Sequence, residues 1–507
     1  MIPSVSPSFS PLSLRGLLVR PSCYPYHPLI ETCRSWGEDP NLHACLTGRR
    51  PGAFPAFVRL VLKSKAVEVC NRIGDFDAGL RAGQEALAAS RTAGLPLGQA
   101  QALLLLSRSY GCRSEFARMK ETAEEALQIY TAYNHRKGQA EALNEIGYPC
   151  EMVGDLEAAE AHWEHARTLL ESLGEKDSLV ICLCRLAFLR GNRGDYSRAR
   201  EDAERALSLA RETEDLGGQG ACYSVISNLR YMQGNMAGSL SCDERALALF
   251  QRVGDRFSQA RTLQNIASSE VQLGNFPRAM TCFAQAYEHS QIMGDRYAAG
   301  FILSNLGATY EALGDFEKAV SFQERALAIR RETGERLGQV ASNLFLVSAC
   351  LHLGDPIRAR EALAEVQALA QAKELDEINL CHLSQRAAEL AILDGDPGLA
   401  EREIESGLLL TEALGSRYRR AMLLLLRAGL RDKQGDWQGS QTDYAESVNL
   451  LGSLGDKAEL ARAFYFFGKA LLTRGEEDKG RWYLREARRL WEAIGAKGWL
   501  AKVEDSS

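Results

Sequence analysis

Apolar residues recur at helical spacing along most of the chain, and the pattern stops and restarts at a fixed interval. Around one stop, Leu303, Leu306, Gly307 and Tyr310 stand at i, i+3, i+4 and i+7, one face of a helix over 298–312. Gly314-Asp315 follows. Glycine takes the left-handed backbone conformation that ends a helix with no Cβ penalty, and aspartate accepts hydrogen bonds from the free N–H groups of the next helix. A second helix is therefore predicted over 316–332. Pro277, Pro356 and Pro397 fall two or three positions after equivalent corners, in the first turn of that second helix, where a missing N–H does no harm.

The corner recurs at Gly74, Gly154, Gly194, Gly234, Gly274, Gly314, Gly354, Gly395, Gly435 and Gly475, with Ser114-Glu115 in the remaining gap. Of the ten intervals, nine are 40 residues and one is 41. So strict a period specifies stacked supersecondary units, an all-α solenoid of about eleven antiparallel helix pairs over 57–495, and not one globular core. A second stop, as in Gly254-Asp255, Gly294-Asp295, Gly334-Glu335 and Gly455-Asp456, comes twenty residues after most corners and separates one hairpin from the next. Small residues mark the packing seam. Ala159, Ala199, Ala279, Ala319, Ala359 and Ala400 lie five past their corners, and Ala86, Ala126, Ala166, Ala206, Ala246, Ala286, Ala326 and Ala487 lie twelve past. They are expected to face Gly147, Ala187, Ala267, Gly307 and Gly468 on the first helices, letting the two backbones approach.

The flanks and three irregularities stand outside this pattern. Residues 1–56 hold nine of the fourteen prolines and no corner, and read as a poorly ordered tail: a disordered extension, a remnant of a longer protein, or, from Arg15, Arg20 and the absence of acid in the first thirty residues, a transit segment. Residues 496–507 read as a C-terminal tail, with Trp499 able to fold back on the open end beside the arginine-rich helix of Arg481, Arg485, Arg488 and Arg489. Ser114 lacks the corner glycine and predicts a strained or rebuilt turn. Pro149 predicts a kink or an early helix end. The 41-residue interval, with Glu374 where a second glycine would stand, reads as a one-residue bulge in a loop, with a hinge as the alternative.

Composition narrows the function. Sixty basic and 66 acidic residues give a net charge of -6, which offers no electrostatic case for binding nucleic acid or an anionic membrane. Thirteen cysteines are scattered singly with no C-x2-C pair, so reduced thiols in a cytoplasmic protein are expected. No apolar run approaches the roughly 18–20 residues that cross a bilayer. There is no phosphate loop, H-E-x-x-H or G-x-S-x-G, so neither enzymatic activity nor a cofactor is expected. His162 and His165, at i and i+3, lack a third metal ligand and read as surface packing; Cys182 and Cys184 read as core. Cys242, Cys282 and Phe322, each eight past its corner, read as an apolar row between repeats.

Leu306-Gly307 and Tyr310 on the first helix, with Gly314-Asp315, Ala319 and Ala326 on the second, resemble the tetratricopeptide repeat over about 57–495. The period of 40 resembles the longer subtype found in regulatory arms of bacterial signal-transduction ATPases, cyclases and transcription regulators and in adaptor proteins. The resemblance implies a right-handed superhelix whose concave wall, built by the first helices, grips an extended peptide or a helix. It also implies that positions 13, 10, 6 and 3 before each corner face that wall. These are Glu141, Asn144, Tyr148 and Glu151; Ser224, Asn228 and Tyr231; Arg261, Gln264 and Ser268; Phe301, Ser304 and Glu311; and His382, Gln385 and Glu389. The expected function is a non-enzymatic scaffold for a protein or peptide partner in signalling. The alternative is a small-molecule sensor arm that controls a separate or attached effector. The Lys and Asn set with which chaperone-binding relatives clamp a terminal carboxylate is missing, since Asn228 stands alone.

Overall fold

A computed structural model describes residues 53–113, 115–371 and 375–504. Ser114 and Glu374 lie outside the described residues, as do residues 1–52 and 505–507. The described chain is helical, with eleven antiparallel hairpins from Ala53–Ile73 paired with Phe76–Ala93 to Lys457–Thr473 paired with Glu477–Ile494, and a last helix, Lys497–Glu504. Two of the sequence boundaries shift. The first helix begins at Ala53, inside the stretch 1–56 read as a tail, and 497–504, also read as tail, is helical.

The corners form for the reasons their chemistry dictates. All ten corner glycines take φ between 75° and 89°. At Gly314 the helix Arg296–Leu313 ends with the Gly314 N–H donating to the Glu311 carbonyl and the Asp315 N–H to the Tyr310 carbonyl, both at 2.9 Å. The Asp315 carboxylate then accepts from the Lys318 N–H at the start of Phe316–Thr333. Asp75, Asp155, Asp195, Asn235, Asp396 and Asp436 cap their helices in the same way. Pro149 departs from expectation. The helix Arg136–Met152 does not end early but continues past it through the last turn, where the Pro149 carbonyl still accepts from the Val153 N–H at 3.2 Å.

At two second stops among the described residues no glycine is present, and Asn134 and Glu214 take φ of 53° and 54°. Asparagine tolerates that conformation, whereas for glutamate it costs about 1–2 kcal/mol. Glu214→Gly should therefore raise the denaturation midpoint by a net ~0.5–1 kcal/mol after the added chain entropy of glycine. An unchanged midpoint would show that Glu214 carries no strain.

The alanines five and twelve past the corners are fully buried. Their glycine counterparts do a different job from the one expected. The space above Gly147 is filled by Trp163, that above Gly307 by Gln323, and that above Gly468 by Leu484 and Tyr483. A gap at one position thus admits a large side chain from the facing helix, while alanine keeps the neighbouring turns close. Ala326→Leu should lower stability by about 1–3 kcal/mol through overpacking, read from a thermal melt.

The chain divides into two compact units, 1–259 and 260–507. In the first, a continuous apolar core runs from Ala123 through Trp163, Leu170, Leu183 and Leu186 to Cys222. Cys182 and Cys184 are buried in it, the latter with its sulfur 3.5 Å from that of Cys222. Phe76 meets Phe257 edge-on at 5.8 Å within the same unit, far along the sequence. The second unit also folds back on itself. Lys457 donates to the Leu273 carbonyl 184 residues away at 3.2 Å, and Phe276, Phe316, Tyr465, Trp491, Ile494 and Trp499 form one cluster. Trp499 thus folds back as expected.

Candidate functional site

In unit 1 the wall residues Glu141, Asn144, Tyr148 and Glu151 share a face of Arg136–Met152 with a residue outside the four-position rule, Glu145. Glu145 is the centre of the cluster. Its carboxylate, 3 % exposed, pairs with Arg108 at 3.1 Å on one side and Arg185 at 3.1 Å on the other. Burial pushes this carboxyl up, but Arg185 and Arg108 outweigh burial and hold it below the ordinary glutamate value. Arg185 also donates to the Asn144 carbonyl, and its guanidinium lies 5.6 Å from the Tyr148 ring centre, which packs edge-on against Phe116. The Trp163 indole N–H donates to the same Asn144 carbonyl at 3.0 Å.

Two acceptors on this wall are left over. Asn144 Oδ1 and Glu151 Oε1 are buried with no hydrogen-bond donor. Burial raises the Glu151 carboxyl, with Arg185 pulling it back only in part. Ser224, Asn228 and Tyr231 are half-buried on Leu216–Met232.

In unit 2 the corresponding faces carry a denser network. Glu311 accepts from the Ser348 hydroxyl at 2.5 Å, and that hydroxyl accepts from Arg386 at 2.7 Å. Arg386 continues to Glu389 at 2.6 Å, Gln385 bonds Glu389 at 3.1 Å, and Arg419 donates to Gln385 at 3.2 Å. Burial, with Arg419 and Arg386 adding to it, keeps His382 well below the usual histidine range, so its neutral ring accepts from the Arg386 Nε–H at 3.3 Å. His352 is likewise held neutral by burial and by Arg462, whose guanidinium lies 3.3 Å from its Nε2. Burial raises the Glu311 carboxyl, opposed by Arg386 and Arg462. Arg462 also pairs with Glu459 at 3.0 Å, so three glutamates, Glu311, Glu389 and Glu459, meet three arginines, Arg386, Arg419 and Arg462.

The structure therefore brings together Asn144, Tyr148 and Glu151 in one unit and Glu311, His382 and Gln385 in the other. Ser304 is turned away from the wall: its hydroxyl donates to Gln323 Oε1 at 3.0 Å within its own hairpin. Phe301 and Arg261 are exposed, Ser268 is half-buried, and Gln264 Nε2 is buried with no acceptor. Ser348 and Arg462 were missed although they occupy the positions six before Gly354 and thirteen before Gly475 that the repeat rule selects. No group of three or more potential metal ligands occurs among the described residues, His162 and His165 included. No described helix is long and apolar enough to cross a membrane.

Stacked, αL-capped helical hairpins presenting one face of each first helix define a repeat scaffold. Residues 222–292 and 298–372 match the tetratricopeptide repeat model. No curated protein matches it. Among solved structures it is similar to apo RapI, with a TM-score of 0.51 at 12 % identity, covering 70 % of this chain and 98 % of that one. It is also similar to the apo form of the quorum sensor NprR from B. thuringiensis, with a TM-score of 0.51 at 13 % identity over 68 % of this chain and 99 % of that one. The Rap protein complexed with competence and sporulation factor gives a TM-score of 0.49 at 16 % identity, over 78 % and 98 %. These likenesses concern the fold.

Proposed function

We propose that the chain is a non-enzymatic regulatory scaffold in signalling that holds an extended peptide or a helix against the inner faces of its first helices. The observation that supports this reading best is the pair of buried acceptors without donors, Asn144 Oδ1 and Glu151 Oε1, beside the Tyr148 ring. A buried polar group without a partner costs about 1–3 kcal/mol. A peptide main chain supplies N–H donors at regular spacing, and Tyr148 supplies an aromatic surface for one of its side chains. The cysteines, scattered along the sequence with no C-x2-C pair, support a cytoplasmic location.

Replacing Asn144, Tyr148 and Glu151 together by alanine should abolish capture of the partner from lysate while leaving the helical circular dichroism intact. Undiminished capture by the triple variant would remove this wall from consideration. The enclosed Glu311–Ser348–Arg386 network supports the second reading, a small-molecule sensor arm. That reading expects a metabolite to raise the melting temperature of unit 2 in proportion to RT ln(1 + [L]/Kd).

A further inference from the structure

The last helix, Lys497–Glu504, is seated on unit 2 by contacts more specific than an apolar cap requires. The Trp499 indole N–H donates to the Glu311 carbonyl at 3.2 Å. Its ring stacks on Trp491 at 5.4 Å, meets Phe316 and His352 edge-on at 5.5 and 5.2 Å, and lies 5.3 Å from the Arg462 guanidinium. One helical turn later the Lys502 ammonium lies 4.6 Å from the Phe316 ring centre and 4.9 Å from that of Trp499. Before the tryptophan, Gly498 presses on Gly314. A Cβ on Gly498 would run into the Gly314 carbonyl, and one on Gly314 would lie 2.6 Å from the Trp499 backbone nitrogen.

The receiving surface is built without the helix it receives. Phe316 and Glu311 belong to the Gly314 hairpin, His352 to Arg336–Leu353, Arg462 to Lys457–Thr473 and Trp491 to Glu477–Ile494. The helix itself has eight residues, follows Gly495 in the left-handed conformation, and is far too short to persist alone in water. A helix this short is held in place by the surface it sits on, and the tether keeps its effective concentration there high. The surface also reaches the inner wall, because the Glu311 that accepts from Trp499 through its carbonyl accepts from Ser348 through its side chain.

We propose that this surface is a docking site for a short helix bearing the pattern Gly-Trp-x-x-Lys, filled in cis by Lys497–Glu504 and available to a partner helix of the same chemistry when that segment detaches. The site is independent of the unit 1 wall and stands whether or not that wall binds a peptide. The close Gly498–Gly314 contact excludes any residue but glycine before the tryptophan, the indole supplies the anchor, and the lysine caps the Phe316 face.

The test uses the full chain carrying Trp499→Ala, which removes the anchoring indole from the surface, and a fluorescein-labelled peptide of residues 495–504. The peptide should bind the variant saturably and the wild-type chain at least ten-fold more weakly. The same peptide with its tryptophan replaced by alanine should bind the variant at least ten-fold more weakly. Should Trp499→Ala fail to fold, Lys502→Glu weakens the seat while retaining the indole, and the same ratio is expected in reduced degree. Equal binding to wild type and variant, absence of binding to both variants, or indifference to the peptide's tryptophan would overturn the proposal. So would a wild-type dimer that the peptide dissolves, since the helix would then be seated on a second copy.

Discussion

Trp163→Ala should lower the stability of unit 1 by about 3–5 kcal/mol, the range for emptying a fully buried aromatic site. Trp163 has no exposed surface, lies within the apolar core that runs from Ala123 to Cys222, and fills the space that Gly147 leaves open on the facing helix. Its indole N–H also satisfies the Asn144 carbonyl at 3.0 Å, so the substitution removes packing and a hydrogen bond together. Stacked repeats share nearest-neighbour interfaces, so the loss should spread to adjacent hairpins and lower the hydrogen-exchange protection of Arg136–Met152 and Lys176–Asn192 first.

The same contact gives a sign reversal that a general loss of stability would not produce. In the wild-type chain a Cβ at Gly147 runs into the Trp163 ring, so Gly147→Ala should destabilise by about 1–3 kcal/mol. In the Trp163→Ala background that ring is gone, and alanine should stabilise by up to about 1 kcal/mol over glycine in a helix interior. Denaturant midpoints of the four proteins test this directly. If Gly147→Ala destabilises both backgrounds, the glycine serves something other than the tryptophan.

The pairing of Gly147 with Trp163 also shows what could and could not be read from the sequence. The corners were legible because capping is local chemistry: Gly314 and Asp315 act on helices within four residues of themselves, and eleven hairpins follow from their period. The resemblance to the repeat likewise picked out Asn144, Tyr148 and Glu151 as sharing one face. Phase says which face a residue occupies, not what stands opposite it. Ser304 obeys the wall rule but bonds Gln323 in its own hairpin, while Ser348 obeys the same rule and links Glu311 to Arg386, 37 and 38 residues away. The seat of Trp499 on Glu311 spans 188 residues, and the Phe316 that shapes it reads locally as an ordinary second-helix residue. Such contacts depend on how far the stack turns per hairpin, which no single repeat encodes.

Glu145→Ala should cost about 3 kcal/mol near neutral pH, because it strands two guanidiniums that now share one buried carboxylate. The figure sits at the low end for a broken buried pair, since Arg108 keeps 38 % of its side chain in contact with solvent and Arg185 keeps 22 %. The pH dependence separates this from loss of packing. The folded carboxyl lies below its unfolded value, about 4.3, so its stabilising contribution is fully present above that pH. It is lost as pH falls through the lower folded value. Other buried carboxyls act in the opposite sense: burial lifts Asp456 to about 6, so its ionised form is the destabilising one, and acid relieves it. Both proteins carry those groups, so the difference in stability between wild type and Glu145→Ala isolates the single carboxylate. That difference should hold constant from pH 8 down to roughly 5 and shrink steadily below about 4.3. A difference that stays constant into strong acid would show that Glu145 stabilises unit 1 by shape, with its charge contributing nothing.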